Sequence, residues 1–424
     1  MRSIASRQQR MAPAGLKHNS PVWSLHVPEF TMENRISTAA NIDVFDRQEH
    51  LQVIDALRGY AILLVIGVHS VGHVPDLVWP AVRLLGMGFY GVQLFFVTSA
   101  VTLLMSWHRS AEPFPQRSSK FLIRRFFRIA PFYYAAILIY WFAYNMSTEA
   151  FSLKLLFATL FFYNAWSPYL IPTVSGWTPV PGGWSIGVEF CFYLVFPFLA
   201  TIVTNLRRAM VFFSISLLIL IGASHFGMNL YPELDVTDRS NFLYFWPPNQ
   251  LVIFALGFIL YNLIKSPWVR QRIQASSITA NQASAVLLIA MFALSFYGVR
   301  KFFEWERGLA PTHLLMTICF VPWALVLILK PTGYAINSAI MGLGKVSFSA
   351  YVLHFFVLRY SSNVLRNSWP FELTGVASIA FEVALLVVTV VVTRILGELT
   401  YRCIEQPFIH IGKSITRNIG GAPW

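Results

Sequence analysis

This chain is poor in the groups on which most soluble folds and much enzyme chemistry rely. Only 12% of its 424 residues are charged, and acids are the scarcer sign, 19 Asp and Glu against 32 Lys and Arg. Its three cysteines, Cys191, Cys319 and Cys403, lie far apart in or beside apolar stretches, which argues against a disulfide framework or a paired-cysteine metal site. There is no P-loop, no Gly-x-Gly-x-x-Gly in a strand-to-helix setting, no His-Glu-x-x-His and no Gly-x-Ser-x-Gly elbow. Nucleotide hydrolysis, zinc proteolysis and the serine-hydrolase layout are therefore disfavoured, and no metal is expected. Residues 1–50 lack the apolar core and small-residue cleavage site of a secretory signal, and their polar composition predicts a disordered cytoplasmic tail.

What the chain has in quantity is apolar and aromatic side chains. Hydrophobic residues make up 56%, with 37 Phe, 17 Tyr and 13 Trp, and the mean hydropathy is +0.57. This composition predicts an all-α, polytopic membrane bundle in contact with the lipid bilayer. The formal net charge of +13 then follows from basic cytoplasmic loops rather than from nucleic-acid binding. Apolar runs near the roughly 20 residues needed to cross a hydrocarbon core recur at 53–73, 87–107, 130–147, 184–204, 209–224, 246–264, 282–299, 312–329, 346–362 and 375–396. That predicts about ten spans in a membrane domain over 51–410, followed by a short cytoplasmic tail at 411–424. A further run at 151–166, closed by the Pro- and Gly-rich "TPVPGGW", reads as a partial or re-entrant helix. The loop carrying Arg109, Arg117, Lys120, Arg124, Arg125 and Arg128 against Glu112 should face the cytoplasm, which puts both termini there and the protein in the inner membrane.

A charged side chain at the centre of a span costs roughly 2.5–3.5 kcal/mol on insertion scales, so intramembrane polar residues mark pairs, cavities or function. In "ALRGYAILLVIGVHS" Arg58 and His69 are eleven residues apart, about 1,100° of helical rotation and roughly 16 Å of rise. They therefore face one way, Arg58 near the inner surface and His69 about half a bilayer deeper. Such a stripe suits a ligand that enters lengthwise, its anionic head at Arg58 and its reactive end at His69 as a general base. In "RRFFRIAP", Arg125 and Arg128 share a helix face and, with Arg124, suit a phosphate group. In "GGWSIGVEF", Ser185 and Glu189 share a face, expected to line the cavity from its extracellular end. Gln93, Thr98, Ser99, Ser349, His354, Glu382 and Arg394 are further polar groups within spans, where interhelical hydrogen bonding is the usual role. A proton-coupled transporter or exporter of a glycan or organic anion, with His69 and Glu189 as the relay, is the competing interpretation.

Taken in order, "IDALRGYAILLVIGVHS", "GVQLFFVTSA", "RFFR", "WSIGVEFCFYLVFP", "SFSAYVLH" and the Glu405-x-Pro407 of "IEQPF" resemble the acyltransferase-3 family, membrane O-acyltransferases of bacterial glycans and some secreted metabolites. The likeness covers about residues 50–410 and is to the stand-alone form, without a fused hydrolase-like domain. It implies a ten-helix domain that moves an acyl group, commonly acetyl, from cytoplasmic acyl-CoA to an extracytoplasmic hydroxyl of a glycan or lipid-linked saccharide, with glycan-assembly proteins as partners. It also implies that Arg58, Arg124, Arg125 and Arg128 hold the CoA, that His69 activates the acceptor or briefly carries the acyl group, and that Glu189, Trp184, Ser185 and His354 form the acceptor end. Two positions depart from the family pattern: Ala100 stands where a glycine often follows the serine, and Phe190 where a second glutamate often follows the first.

Overall fold

The computed structural model describes residues 52–144, 152–171, 178–296, 311–331 and 334–419. Helices account for most of them, and no strand occurs among the described residues. In chain order these are α1 (Gln52–His73), α2 (Trp79–Gly86), α3 (Gly91–Trp107), α4 (Phe114–Ala143), α5 (Leu153–Leu160), α6 (Gly183–Ile202), α7 (Leu206–Leu230), α8 (Val236–Phe245), α9 (Pro247–Lys265), α10 (Pro267–Ala275), α11 (Ala280–Ser295), α12 (Thr312–Leu329), α13 (Ser338–Lys345), α14 (Ser347–Ser368), α15 (Gly375–Thr400) and α16 (Gln406–Asn418). Among the described residues eight stretches are long and apolar enough to cross a membrane, and ten if two bent pairs count as spans. The bends are near right angles, 94° between α10 and α11 and 88° between α13 and α14.

The expected spans correspond to helices throughout, with two differences at their ends. The third helix starts at Phe114 instead of near 130, taking the basic "RRFFR" stretch into its first half. Arginine is a good helix former, and the prolines at the start of α4 suit a first turn, so hydropathy alone underestimates the helix. At the other end, α15 runs through a π-helical turn, Tyr401–Glu405, into α16, which continues past residue 410 and packs on α4. The 151–166 run becomes α5, eight residues followed by turns. At about 1.5 Å per residue it reaches roughly 12 Å, too short to span. Residues 1–50 lie outside the described residues.

α1 is closely enclosed in this bundle, and glycines let it be. Ala56, Leu57, Ala61, Ile62 and Ile66 are fully buried. A Cβ at Gly88 or Gly91 would strike the carbonyls of Leu64 and Ala61, and one at Gly344 would overlap the carbonyl of Asp55. The backbones of α3 and α13 thus lie directly against α1, the small-residue packing that holds helices together where lipid supplies no hydrophobic drive. Around this axis α9 packs between α3, α7 and α12, and α14 packs against α15 and α4. We expect Gly344→Ala to lower the thermal midpoint of the detergent-solubilised protein, at a cost of about 1–3 kcal/mol. By contrast, Gly222→Ala, where the new methyl meets nothing within 4 Å, should raise it through helix propensity.

Candidate functional site

Two chambers meet inside the bundle. The first, of about 80 Å³, is lined by Arg58 of α1, Ser99 of α3, Arg125 and Arg128 of α4, Ser185, Glu189 and Tyr193 of α6, and Ser347 and Tyr351 of α14. The second, of about 250 Å³, is lined by Val65, Val68 and His69 of α1 with Phe89, Trp184, Tyr244, Phe245 and Phe355. Val92 and Tyr351 line both chambers and form the waist between them.

The first chamber is built for an anion. Three guanidinium groups face it against one carboxylate in the lining. Arg58 is steadied by Thr102, whose Oγ1 accepts from Nη2 at 3.1 Å, and by Asp55 one turn back at 3.9 Å. Arg125 stands over the Phe121 ring at 5.5 Å, and its buried Nε has no hydrogen-bond partner among the described residues. An unpaired buried guanidinium N–H is costly to leave, and an anionic oxygen would complete it with a charge-assisted bond. Glu189 accepts from Ser99 Oγ at 2.5 Å and shares the chamber lining with Tyr193.

The second chamber is aromatic, with one basic nitrogen heterocycle on its wall. The His69 ring packs against Phe355 at 4.3 Å, His354 at 5.4 Å and Phe89 at 6.0 Å between centroids. Neither of its ring nitrogens makes a hydrogen bond among the described residues, so none of those residues competes for its lone pair. Trp184 stacks obliquely on Tyr244 and Phe245 at 5.3 and 4.7 Å. The apolar walls offer room to a ligand body and leave the imidazole as the reactive group.

The waist explains the Gly-Gly pair before Trp184. Gly182 sits at φ +75° as the N-cap of α6, and a Cβ there would meet Tyr351 and Phe355. A Cβ on Gly183 would strike the Tyr133 hydroxyl. With both side chains absent, the carbonyl of Gly182 accepts from Tyr351 Oη at 3.0 Å, and Ser185 Oγ lies 2.8 Å from Tyr351 Oη and 3.0 Å from the same carbonyl, its one hydrogen serving either contact. α6 therefore begins at the waist, within the bundle.

That starting depth redistributes the residues singled out in the sequence. Trp184 falls in the His69 chamber, but Ser185 and Glu189 lie on the arginine side, not at the far end of the cavity. Arg58 and His69 share a helix face as expected, yet they open into two successive chambers. Arg125 and Arg128 line the first; Arg124 lies outside it, its Nε donating to Thr416 Oγ1 of α16 at 3.1 Å. His354 lines neither chamber. It is fully buried behind His69, its Nδ1 2.5 Å from the Tyr351 carbonyl, which makes that nitrogen the donor. Gln93 bonds Gln250 across helices at 3.2 Å. Sequence reasoning missed Tyr193 and Tyr351, although Tyr193 falls four residues after Glu189, and Tyr351 is a polar aromatic three before His354. Among the described residues no cluster of His, Cys, Asp or Glu is arranged to hold a metal ion.

Comparison with known proteins agrees with this architecture. The sequence is 23% identical over 344 residues to an acyltransferase, MdmB, of Streptomyces mycarofaciens, covering 77% of this chain and 82% of that one. It is 24% identical over 386 residues to a Staphylococcus aureus (strain COL) protein provisionally named an O-acetyltransferase, covering 86% of this chain but 58% of that longer protein. No solved structure matches. The family profile described as an acyltransferase domain matches residues 51–398, and with most of its length inside that match this multi-pass membrane protein belongs to the acyltransferase-3 family.

Proposed function

We propose that this protein is an O-acyltransferase of the inner membrane that takes an acyl group, acetyl first among them, from cytoplasmic acyl-CoA and delivers it to a hydroxyl of an extracytoplasmic glycan or glycolipid. The observation that carries this reading is the junction of an arginine-lined chamber with a histidine-bearing aromatic one through a waist of Val92 and Tyr351. Phosphate groups of the donor would be held by Arg58, Arg125 and Arg128, whose planar donor forks suit phosphate oxygens. The acyl thioester would then lie toward the waist and the acceptor hydroxyl beside His69. His69 would take the hydroxyl proton as the oxygen attacks the acyl carbon and the carbon–sulfur bond breaks, with a direct ester or a short-lived acyl-histidine as the two routes. A thioester already carries a good leaving group, so one positioned base supplies most of what the step demands.

Each assignment has its measurement. His69→Ala should lower kcat/KM for labelled acetyl-CoA by about 10²–10⁴ in membranes matched for protein level; a wild-type rate would remove His69 from the reaction. Arg125→Ala should raise the KM for acetyl-CoA by roughly ten- to a hundredfold, the worth of one charge-assisted contact, and Arg125→Lys should recover only part of it. Ser185→Ala and Tyr351→Phe share one hydrogen bond at the waist. Their thermal effects should therefore be non-additive by about 0.5–1.5 kcal/mol in a double-mutant cycle. Proton-driven uptake of a glycan in the absence of acyl-CoA would favour a transporter instead.

A further inference from the structure

Away from the two chambers, the α6–α7 hairpin leaves a groove on the outer side of the bundle. It has a volume of about 950 Å³ and is walled by Val211, Ile215 and Ile219 of α7, Leu199 and Ile202 of α6, and Leu251 of α9. Ile202, Val211, Ile215 and Ile219 are exposed. On helices that cross a membrane, an exposed apolar wall of this kind faces lipid tails, which are as apolar as leucine.

The polar groups of the groove gather at one end. Arg207 and Arg208 stand there in the first turn of α7, with Thr201 and Asn205 beside them, and no acidic side chain joins the lining. The two neutral groups are already used: Thr201 Oγ1 donates to the Pro197 carbonyl at 2.8 Å, and Asn205 Oδ1 accepts from the Arg208 N–H at 3.0 Å. Arg208 Nη1 donates to the Ile202 carbonyl at 2.9 Å and to Thr204 Oγ1 at 3.3 Å, which pins that guanidinium against the end of α6. Its Nε and Nη2 stay open, and Arg207 has no partner among the described residues. Two guanidinium groups without a counter-ion therefore stand at the head of an apolar groove.

Length selects among ligands of this mixed chemistry. Arg207, Arg208, Val211, Ile215 and Ile219 fall within about 120° of helical arc, and the stripe rises about 18 Å from Arg207 to Ile219. One leaflet of a hydrocarbon core roughly 30 Å thick is about 15 Å deep. The groove thus runs from headgroup level to near the midplane, the reach of one acyl chain. A soluble anion would occupy the arginines and leave the walls bare, whereas a zwitterionic lipid would cover the walls and bring no net charge to the arginines. We propose that this groove is a binding site for an anionic phospholipid of the leaflet that meets the start of α7. Its phosphate lies against Arg207 and the open edge of Arg208, and one acyl chain lies along α7. Such a lipid bridges α7 and the end of α6, and so braces the helix that brings Ser185, Glu189 and Tyr193 to the arginine chamber.

The test is a lipid titration of the purified full chain in detergent, read by native mass spectrometry, with phosphatidylglycerol and phosphatidylcholine of identical acyl chains. Phosphatidylglycerol should bind about five- to thirtyfold more tightly, the worth of one or two basic contacts, and should raise the thermal midpoint where phosphatidylcholine does not. Arg207→Gln/Arg208→Gln should abolish the preference. Lys413→Gln/Arg417→Gln, an equal loss of charge on exposed positions of α16, should keep it. Val211→Trp, which fills the groove and spares both arginines, should weaken phosphatidylglycerol binding by a similar factor. Equal affinity for the two lipids in the wild type would overturn the site, as would equal losses in the α7 and α16 pairs or full binding by Val211→Trp. Displacement of the lipid by excess inorganic phosphate would assign the arginines to a free anion and overturn it as well. Should the glutamine pair fail to accumulate, the wild-type preference and Val211→Trp decide.

Discussion

The burial of Arg58 in α1 is the constraint to which the rest of the bundle answers. A cation inside a hydrocarbon slab is tolerated only where protein, and not lipid, surrounds it. α1 is accordingly wrapped so closely that two neighbouring backbones press on it, one at Gly88 and Gly91 and the other at Gly344. Enclosure by backbone leaves polar side chains to fill the gaps, and Thr102, Asp55 and the nearby Glu189 provide the oxygens. In a low-dielectric surround, three guanidiniums facing one carboxylate attract an anion far more strongly than they would at a surface.

The waist gives the enclosed space a direction. Were the cavity one open tube, a donor and an acceptor would compete for the same walls. Instead Tyr351 is fixed by Ser185 and the Gly182 carbonyl at the point where polar lining gives way to aromatic lining. A charged head is satisfied on one side only, and an apolar or stacking body on the other. Orientation of a bound molecule then follows from the chemistry of its two ends. The knot itself depends on two glycines, one at a positive φ and one pressed against the Tyr133 hydroxyl, so that a local feature of "PGGW" governs a property of the whole cavity.

Much of this was legible in the sequence, and what was not has identifiable causes. The spans stood out because long apolar runs have few competing explanations, and Arg58 with His69 because helical arithmetic is reliable within one straight helix. The site residues also lay within motifs that resemble one family. Arg124 sits one residue from Arg125, yet it serves α16, whose position no local pattern reveals. Glu189 was put at the wrong end since the depth at which α6 begins depends on how the Pro- and Gly-rich segment before it packs. Tyr351 escaped notice because an aromatic in a membrane helix is usually packing, and only its hydroxyl's partners, 169 and 166 residues away, distinguish it.

α14 shows how one apolar-looking helix serves two polar systems without mixing them. At 100° per residue, Ser347, Tyr351 and His354 fall within about 60° of one another, while Ser349 points some 160° or more away from Ser347 and Tyr351. The first face supplies the chamber walls at Ser347 and Tyr351 and backs His69 with His354. The opposite face joins Ser349 to Glu405 and Thr400 at the π-helical turn. A π turn widens the helix and frees backbone groups, a cost that persists where function requires it. Here it places the Glu405 carboxyl beside Ser349 at the seam between α14 and α15. A helix shared in this way cannot rotate to suit one system without disturbing the other, which ties the geometry of the chambers to that of the seam.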